Sequence, residues 1–499
     1  MKRMRQLGFW AGLLSVVGAF VLSRTLDLSD SPWRPETVVL AGVTLWMAIW
    51  WVSETVHLAV TGLIPLVAFP LLGIADAKTV SPAYADRFIL LLMGGFFVAL
   101  CLERWDLHKR IALSVMGRIG TKPRTLVLSF MATTAILSMW ISNTATTLMM
   151  LPIALAVLNR LSDSLTESQQ KGFGLALLLG VAYGASVGGM GTPIGTPPNG
   201  ILMGQYEELF PDAEGIGFLD WMIVAIPIVV VMLTFIWWFL VQVVGKIPKG
   251  LECDAGSLLE DEKREMGPMT TAQYRVAAVF VATALLWIFR KSIPLGDSGM
   301  VLPGWEDALG LKGMVHDSTV ALGAALVLFA LPSNDPDRPR LLDWATAVKI
   351  PWGLLLLFGG GLALATGFKA TGLTSLIGDS MRVLEGVPTF GLILAVSLLV
   401  TFLTEVTSNT ATTSILVPIL GASAVAMGAH PLVLMIPATL SASCAFMLPV
   451  ATAPNAVVFG SGKIPIGEMA KAGFWINIVG AVVIALFSLF WSLPFLGAL

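Results

Sequence analysis

The sequence predicts an all-α integral membrane protein of about eleven transmembrane helices and two re-entrant hairpins, arranged as inverted-topology repeats. Three observations lead to this fold class. The composition is strongly apolar, two long apolar stretches carry the same polar break, and both breaks belong to a longer internal duplication.

The composition places the chain in the membrane class. Of its 499 residues, 56% are hydrophobic and only 12% are charged, and the mean hydropathy is +0.83. Soluble domains carry about 25% charged residues. A formal net charge of −2 gives no indication of a nucleic-acid partner. Four scattered histidines and three separated cysteines form no catalytic triad, zinc site or disulfide framework, so the sequence does not indicate an enzyme.

Hydropathy separates continuous spans from interrupted stretches. A bilayer-spanning helix takes about 20 apolar residues. Two stretches, 125–160 and 388–428, are too long for one span and have a polar Ser-Asn-Thr in the middle, which predicts two re-entrant hairpins. Charges at helical spacing predict surface helices in 105–120 and 373–387. The predicted spans are 7–23, 36–53, 56–74, 88–103, 173–205, 219–244, 274–291, 317–332, 351–367, 431–460 and 473–497.

Basic residues in short loops predict the orientation. If Lys2, Arg3 and Arg5 are cytoplasmic, alternation of the spans keeps most other loop lysines and arginines on that side. The C-terminus is then outside, and the expected location is the cell (inner) membrane. The polar segment 249–272 is predicted to be a cytoplasmic linker between two halves.

An internal duplication is centred on the polar breaks. The hexapeptide Ser-Asn-Thr-Ala-Thr-Thr at 142–147 recurs unchanged at 408–413. By the span count the two copies run in opposite directions, as is typical of secondary transporters, whose binding site lies between the repeats. The other matched segments are Leu-x-Gly-Gly at 92–95 and 357–360, and Thr-x-Pro-Asn at 196–199 and 452–455.

The breaks predict a site for anions and cations together. Irregular backbone at membrane depth persists only where it lines a cavity or is buried in protein. The start of a half-helix offers N–H groups to an anion, while Ser, Thr and Asn oxygens suit a cation such as sodium. Two opposed motifs suggest a substrate with two anionic ends, one at Asn143 and Thr144, the other at Asn409 and Thr410.

The absence of basic residues from these motifs predicts coupling to sodium. A dianion at low dielectric needs nearby positive charge, and only co-bound cations supply it here. Glu405, three residues before Ser408, is either a proton carrier or an anchoring or helix-capping carboxylate. Glu54 and Glu103 lie near span ends and are expected to be interfacial.

At these residues the chain resembles the divalent anion/sodium symporter family, which has two Ser-Asn-Thr motifs at the tips of opposed hairpins. A second family signature is similar to Ala442-Ser443, Phe446, Pro449-Val450-Ala451, Asn455 and Val457-Val458. The resemblance implies a homodimer that moves a transport domain past a scaffold domain, as an elevator does. It assigns 1–120 and 273–385 to the scaffold, and 121–248 and 386–499 to the transport domain.

The resemblance also implies site residues. A first sodium site takes Ser138, Ser142, Asn143 and the backbone near Gly191, and a second takes Thr404, Thr407, Asn409 and the backbone near Ala451. Substrate contacts fall to Asn143, Thr144, Ser408, Asn409, Thr410 and Thr452. Ala453 departs from the family pattern, because many relatives have a second proline there.

The function expected from the resemblance is sodium-coupled symport of a C4-dicarboxylate such as succinate, malate or fumarate. Three alternatives stay open at this point. They are a sodium-independent dicarboxylate exchanger, a symporter of citrate or sulfate, and a membrane sensor that binds dicarboxylates without transporting them.

Overall fold

The computed structural model describes residues 2–27, 31, 33–161, 165–249, 255–294, 301–374, 376 and 386–498. These residues form helices and a single two-stranded antiparallel ribbon of β1 (Ile293–Pro294) and β2 (Val301–Leu302). The helices of the first half are α1 (Lys2–Thr25), α2 (Pro35–Ser53), α3 (Leu58–Thr61), α4 (Ile64–Leu72), α5 (Ala77–Val80), α6 (Arg87–Arg104), α7 (Leu107–Ile119), α8 (Pro123–Ser138), α9 (Asn143–Leu161), α10 (Glu167–Gly189), α11 (Pro197–Leu209) and α12 (Phe218–Phe239). Those of the second half are α13 (Ala255–Glu265), α14 (Thr271–Ile288), α15 (Trp305–Ala308), α16 (Asp317–Ala330), α17 (Trp344–Ala347), α18 (Trp352–Thr371), α19 (Thr389–Thr404), α20 (Asn409–Ala426), α21 (Leu432–Ala442), α22 (Ala453–Phe459), α23 (Ile466–Phe487) and α24 (Leu493–Phe495).

The predicted all-α membrane class is confirmed. Within the described ranges, ten helices are long and apolar enough to cross a membrane. Shorter apolar helical segments lie at Leu58–Leu72, Asp317–Ala330, Thr389–Thr404 and Leu432–Ala442. Two of the ten long helices, α9 and α20, are the second arms of the predicted hairpins, and the first arms, α8 and α19, are 16 residues each.

The polar motifs break helices where the sequence predicts. In each hairpin the second helix begins at the asparagine of Ser-Asn-Thr, Asn143 or Asn409. The predicted spans 173–205 and 431–460 are likewise interrupted, since α10 stops at Gly189 and α21 at Ala442 before the Thr-x-Pro-Asn motifs. Proline suits a first helical turn, where its missing N–H is not needed. α22 begins at Ala453 as α11 begins at Pro197, so the departure at Ala453 leaves this helix start in place.

The two hairpins enter from opposite ends of the molecule. Arg124, at the base of the first hairpin, donates from Nε to the carbonyl oxygen of Ile247, 2.8 Å away and just beyond the C-terminal end of α12. His430, at the base of the second, lines a cavity with Phe218 and Lys291 at the N-terminal end of α12. α12 is 22 residues long, about 33 Å at 1.5 Å per residue, so the repeats have inverted topology.

Loops predicted to share the cytoplasmic side meet at one end. Arg104 pairs with Asp343 at 2.6 Å, and this hydrogen bond lowers the pKa of the Asp343 carboxyl below its usual range. Arg110 donates to the carbonyl oxygen of Gly267 at 3.0 Å. The predicted surface segment 105–120 contains α7, and the linker contains α13, which packs against α7 and α9. Most of segment 373–387 lies outside the described residues.

A buried ion cluster stabilises the opposite end. The Arg290 guanidinium lies 2.5 Å from Oδ1 of Asp317 and 2.7 Å from Oε2 of Glu306, and all three side chains are less than one tenth exposed. Asp317 also accepts the backbone N–H of Phe218 at 3.2 Å. The cluster therefore ties the starts of α12 and α16 to the end of α14.

Replacing Asp317 by Ala is expected to destabilise the fold by about 3–5 kcal/mol, because Arg290 keeps its charge but loses its bidentate partner. Thermal unfolding of purified protein in detergent measures the effect. The control is Glu468→Ala, which removes a half-exposed ion pair with Lys471 and is expected to cost at most about 1 kcal/mol. Equal melting temperatures for the two variants would contradict this account.

Candidate transport site

One cavity of about 1040 Å³ brings both repeats together. Both Ser-Asn-Thr motifs line it, together with the first three residues of both Thr-x-Pro-Asn motifs. Every predicted substrate residue is on its wall, namely Asn143, Thr144, Ser408, Asn409, Thr410 and Thr452. The motifs lie 266 and 256 residues apart in the chain, so only the fold can bring them to a common chamber.

Two mirrored clusters of oxygen atoms lie behind this wall. In the first half, the Ser138 hydroxyl lies 2.6 Å from Oδ1 of Asn143 and 2.8 Å from the carbonyl oxygen of Ala185. In the second half, the Thr404 hydroxyl lies 2.6 Å from Oδ1 of Asn409 and 3.1 Å from the carbonyl oxygen of Ala442. Hydroxyl, amide and carbonyl oxygens are hard ligands that suit an alkali cation. The same arrangement of a hydroxyl, an amide oxygen and a carbonyl oxygen therefore occurs in both halves.

Most of the predicted sodium residues lie on the cavity wall or in these clusters, whereas Gly191 lies in neither. Ser142, Asn143, Thr407, Asn409 and Ala451 line the cavity. Ser138 and Thr404 are fully buried just behind it. Gly191 is buried in the loop after α10, where its Cα faces the side chain of Met139. Each of these roles stays a prediction.

Two asparagines hold the interrupted helices in shape. Asn199 Nδ2 donates to the carbonyl oxygens of Gly189 at 3.1 Å and Thr192 at 2.8 Å. Asn455 Nδ2 donates to the matching carbonyls of Ala445 at 3.1 Å and Leu448 at 3.0 Å. Sequence reasoning recognised both asparagines as parts of a motif but gave them no role. The duplicated Pro-Asn was the available signal, because a buried amide must find partners.

Helix N-termini point into the cavity. The first residues of α9, α11 and α20 line it. α9 and α20 leave N–H groups without intrahelical partners, whereas α11 begins with two prolines, which have no N–H. Ser142 and Ser408 each accept one such N–H, from Ala145 at 3.2 Å and from Ala411 at 3.5 Å. The remaining N–H groups and the helix dipoles favour a bound anion.

Fixed charges lie at the mouth of the cavity, away from the motifs. Among the described residues, Arg5 and Lys349 are the basic side chains that line it, and both are exposed. Arg5 is 3.8 Å from Glu54, and Glu103 lines the same region. The two hairpin tips and the two oxygen clusters contain no lysine, arginine or histidine. The cavity therefore opens toward the end of the molecule where α1 and α18 begin.

The model of the family described as "Sodium:sulfate symporter transmembrane region" matches residues 15–497. The chain belongs to this family. Membership confirms the resemblance inferred from the paired motifs, and the family is one of transporters.

Two similar relatives are named "Sodium-dependent dicarboxylate transporter SdcS". The one from Staphylococcus saprophyticus is 39% identical over 497 residues, covering 98% of this chain and 93% of that protein. The one from Staphylococcus aureus is 40% identical over 462 residues, covering 92% and 86%.

Solved structures agree on the fold alone. The YdaH transporter of Alcanivorax borkumensis aligns with a TM-score of 0.56 at 14% identity, over 92% of this chain and 99% of that one. MtrF of Neisseria gonorrhoeae aligns with a TM-score of 0.54 at 13% identity, over 95% and 97%. At such low identity these structures say nothing about what this symporter-family chain carries.

Replacing Gly189 by Ala is expected to abolish transport by this family member. An added Cβ would lie 2.7 Å from Oδ1 of Asn143. This amide oxygen would therefore have to move out of the first oxygen cluster. Uptake of labelled substrate into proteoliposomes measures the loss, and the melting temperature shows whether the fold survives. Gly323→Ala is the control, because no atom lies within 4 Å of its added Cβ. Normal uptake by Gly189→Ala would mean that the position of this amide is unimportant.

Proposed function

We propose that the chain is a sodium-coupled symporter of C4-dicarboxylates such as succinate, malate and fumarate. One observation carries the proposal. Two matched oxygen clusters and the starts of three helices surround a single chamber whose basic side chains lie at its mouth. The names of the relatives, sodium-dependent dicarboxylate transporters, support the same substrate and the same ion.

In this proposal sodium binds first. Ser138, Ser142, Asn143 and the backbone near Gly191 hold one ion. Thr404, Thr407, Asn409 and the backbone near Ala451 hold the other. The Ser138 hydroxyl lies 2.6 Å from the Asn143 amide oxygen, and the Thr404 hydroxyl lies 2.6 Å from that of Asn409, so each site already has two oxygens close together. Bound cations then offset the charge of a dianion, which the chamber's neutral side chains cannot do.

The substrate follows with one carboxylate at each hairpin tip. Asn143 and Thr144 donate to one end, and Ser408, Asn409 and Thr410 donate to the other. Thr452 adds a hydroxyl from the start of α22. Two tips that each carry an amide and hydroxyls match a molecule with two carboxylates better than they match a monoanion.

The transport step is proposed to be an elevator movement. The scaffold comprises 1–120 and 273–385, and the transport domain comprises 121–248 and 386–499. Support comes from the smaller of two hydrophobic cores, which is made of scaffold residues apart from Ala411. With the N-terminus cytoplasmic in the cell (inner) membrane, the cavity mouth beside Arg5 faces the cytoplasm. We further propose a homodimer, the assembly that the family resemblance implies.

Two other functions compete with this proposal. An exchanger that works without sodium needs another source of positive charge near the substrate, and the described hairpin tips provide none. A sensor that binds dicarboxylates without transporting them does not require inverted repeats, which are typical of secondary transporters. Citrate and sulfate are alternative substrates for the same chamber. Measuring how strongly each inhibits uptake of labelled succinate distinguishes them from succinate.

Uptake of labelled succinate into proteoliposomes is expected to require an inward sodium gradient. Asn143→Ala and Asn409→Ala are each expected to lower it to background, because each removes an oxygen from a cluster and an amide from a hairpin tip. The control is Asn334→Gly in an exposed loop away from the site, where the left-handed backbone accepts glycine. Succinate counterflow without sodium, or normal uptake by both hairpin variants, would overturn the proposed function.

A further inference from the structure

The two halves differ at one buried carboxylate. Glu405 follows directly after α19 and is only 3% exposed. Its oxygens accept the backbone N–H groups of Phe446 at 2.7 Å, Met447 at 2.9 Å and Leu448 at 3.1 Å. The amide of Asn477 donates a fourth hydrogen bond at 2.7 Å.

All four partners of Glu405 are donors. This is the environment that a charged carboxylate needs, since a protonated acid has a hydrogen of its own to donate. No lysine, arginine or histidine forms an ion pair with Glu405 in the described part of the chain. The negative charge is therefore held by neutral groups, and its field acts on whatever lies beside it.

In the first half, the corresponding loop is held without a charged side chain. The position that matches Glu405 is Met139, and the one that matches Asn477 is Trp221. Here the N–H groups of Met190 and Gly191 donate to carbonyls of their own turn, Val187 at 3.2 Å and Gly188 at 2.9 Å. The Trp221 indole donates to the Met190 carbonyl oxygen at 2.9 Å. Neutral groups alone therefore hold the loop of the first half, whereas a carboxylate holds that of the second.

Glu405 is linked to the second oxygen cluster through the chain. Glu405 is the neighbour of Thr404 in the chain, and the loop that it fixes runs on to Ala451. A fixed negative charge beside a cation site strengthens binding of the cation and opposes binding of an anion until that cation is present. This reading also decides between the two roles considered for Glu405, because four donated hydrogen bonds are those of an anchor.

We propose that Glu405 is a positioning residue for the second cation site. Its negative charge makes this site bind sodium more tightly than the first site does, so the second site fills first. The second site is formed by Thr404, Thr407, Asn409 and the backbone near Ala451. The inference rests on the proposed sodium-coupled function. It adds an order of binding that the near-symmetry of the two motifs alone does not contain.

The test is equilibrium binding of radiolabelled sodium to purified protein in nanodiscs without substrate, together with the sodium dependence of succinate uptake. Glu405→Gln keeps the size of the side chain and removes its charge. The expected result is a rise of roughly tenfold in the sodium concentration that half-fills the tighter site, the equivalent of about 1.4 kcal/mol. Met139→Leu at the matched position is the control and is expected to leave sodium binding unchanged.

Sodium binding by Glu405→Gln that equals the wild type would overturn the inference, even if uptake falls. An equal weakening by Met139→Leu would overturn it as well, since the effect would then not come from the charge. If Glu405→Gln does not fold, Glu405→Asp carries the test. The retained charge is expected to keep the tighter site, and its loss in a folded Asp variant contradicts the proposal. A wild-type protein that takes up succinate without sodium would instead overturn the proposed function.

Discussion

Backbone groups that leave a helix at membrane depth must find partners inside the protein, and this requirement organises the whole site. The loop after α10 is held by Asn199 and by the indole of Trp221. The loop after α21 is held by Asn455 and Glu405, and Tyr183 donates to its Phe446 carbonyl oxygen at 2.8 Å. These side chains are buried, and their hydrogen bonds hold both loops in their irregular conformation.

Local sequence predicted the breaks but not the way they are stabilised. A duplicated hexapeptide in an apolar background, followed by a duplicated Pro-Asn, was sufficient to predict two hairpins and two interrupted helices. The hydroxyl of Ser138 was assigned by resemblance, and the structure supplies its physical context in the carbonyl oxygen of Ala185, 47 residues away. Spacing along the chain contains no information about such a contact, since it depends on how α8 packs against α10.

The role of Glu405 likewise depends on contacts with residues that are distant in the sequence. From sequence, a carboxylate three residues before Ser-Asn-Thr fits a proton carrier as well as an anchor. The choice depends on whether its neighbours are donors or acceptors, and those neighbours come from 446–448 and from α23. Comparison of the two repeats gave a usable hint, because Met139 in the matching position excludes a charge-dependent role common to both halves.

The repeats are also unequal in their packing, which bears on the proposed elevator movement. Trp140 in the first hairpin packs against three rings, those of Phe218, Phe280 and Trp287, while the matching Val406 is 65% exposed and lines the cavity. Aromatic pairs contribute about 0.5–1.5 kcal/mol each beyond their buried area. If the two halves exchange environments during the proposed elevator movement, the contacts of Trp140 with Phe280 and Trp287, which join proposed transport and scaffold residues, have to separate. Loss of these two contacts costs about 1–3 kcal/mol by the same figures, which co-bound ions and substrate can offset. The empty protein and the loaded protein therefore need not favour the same conformation.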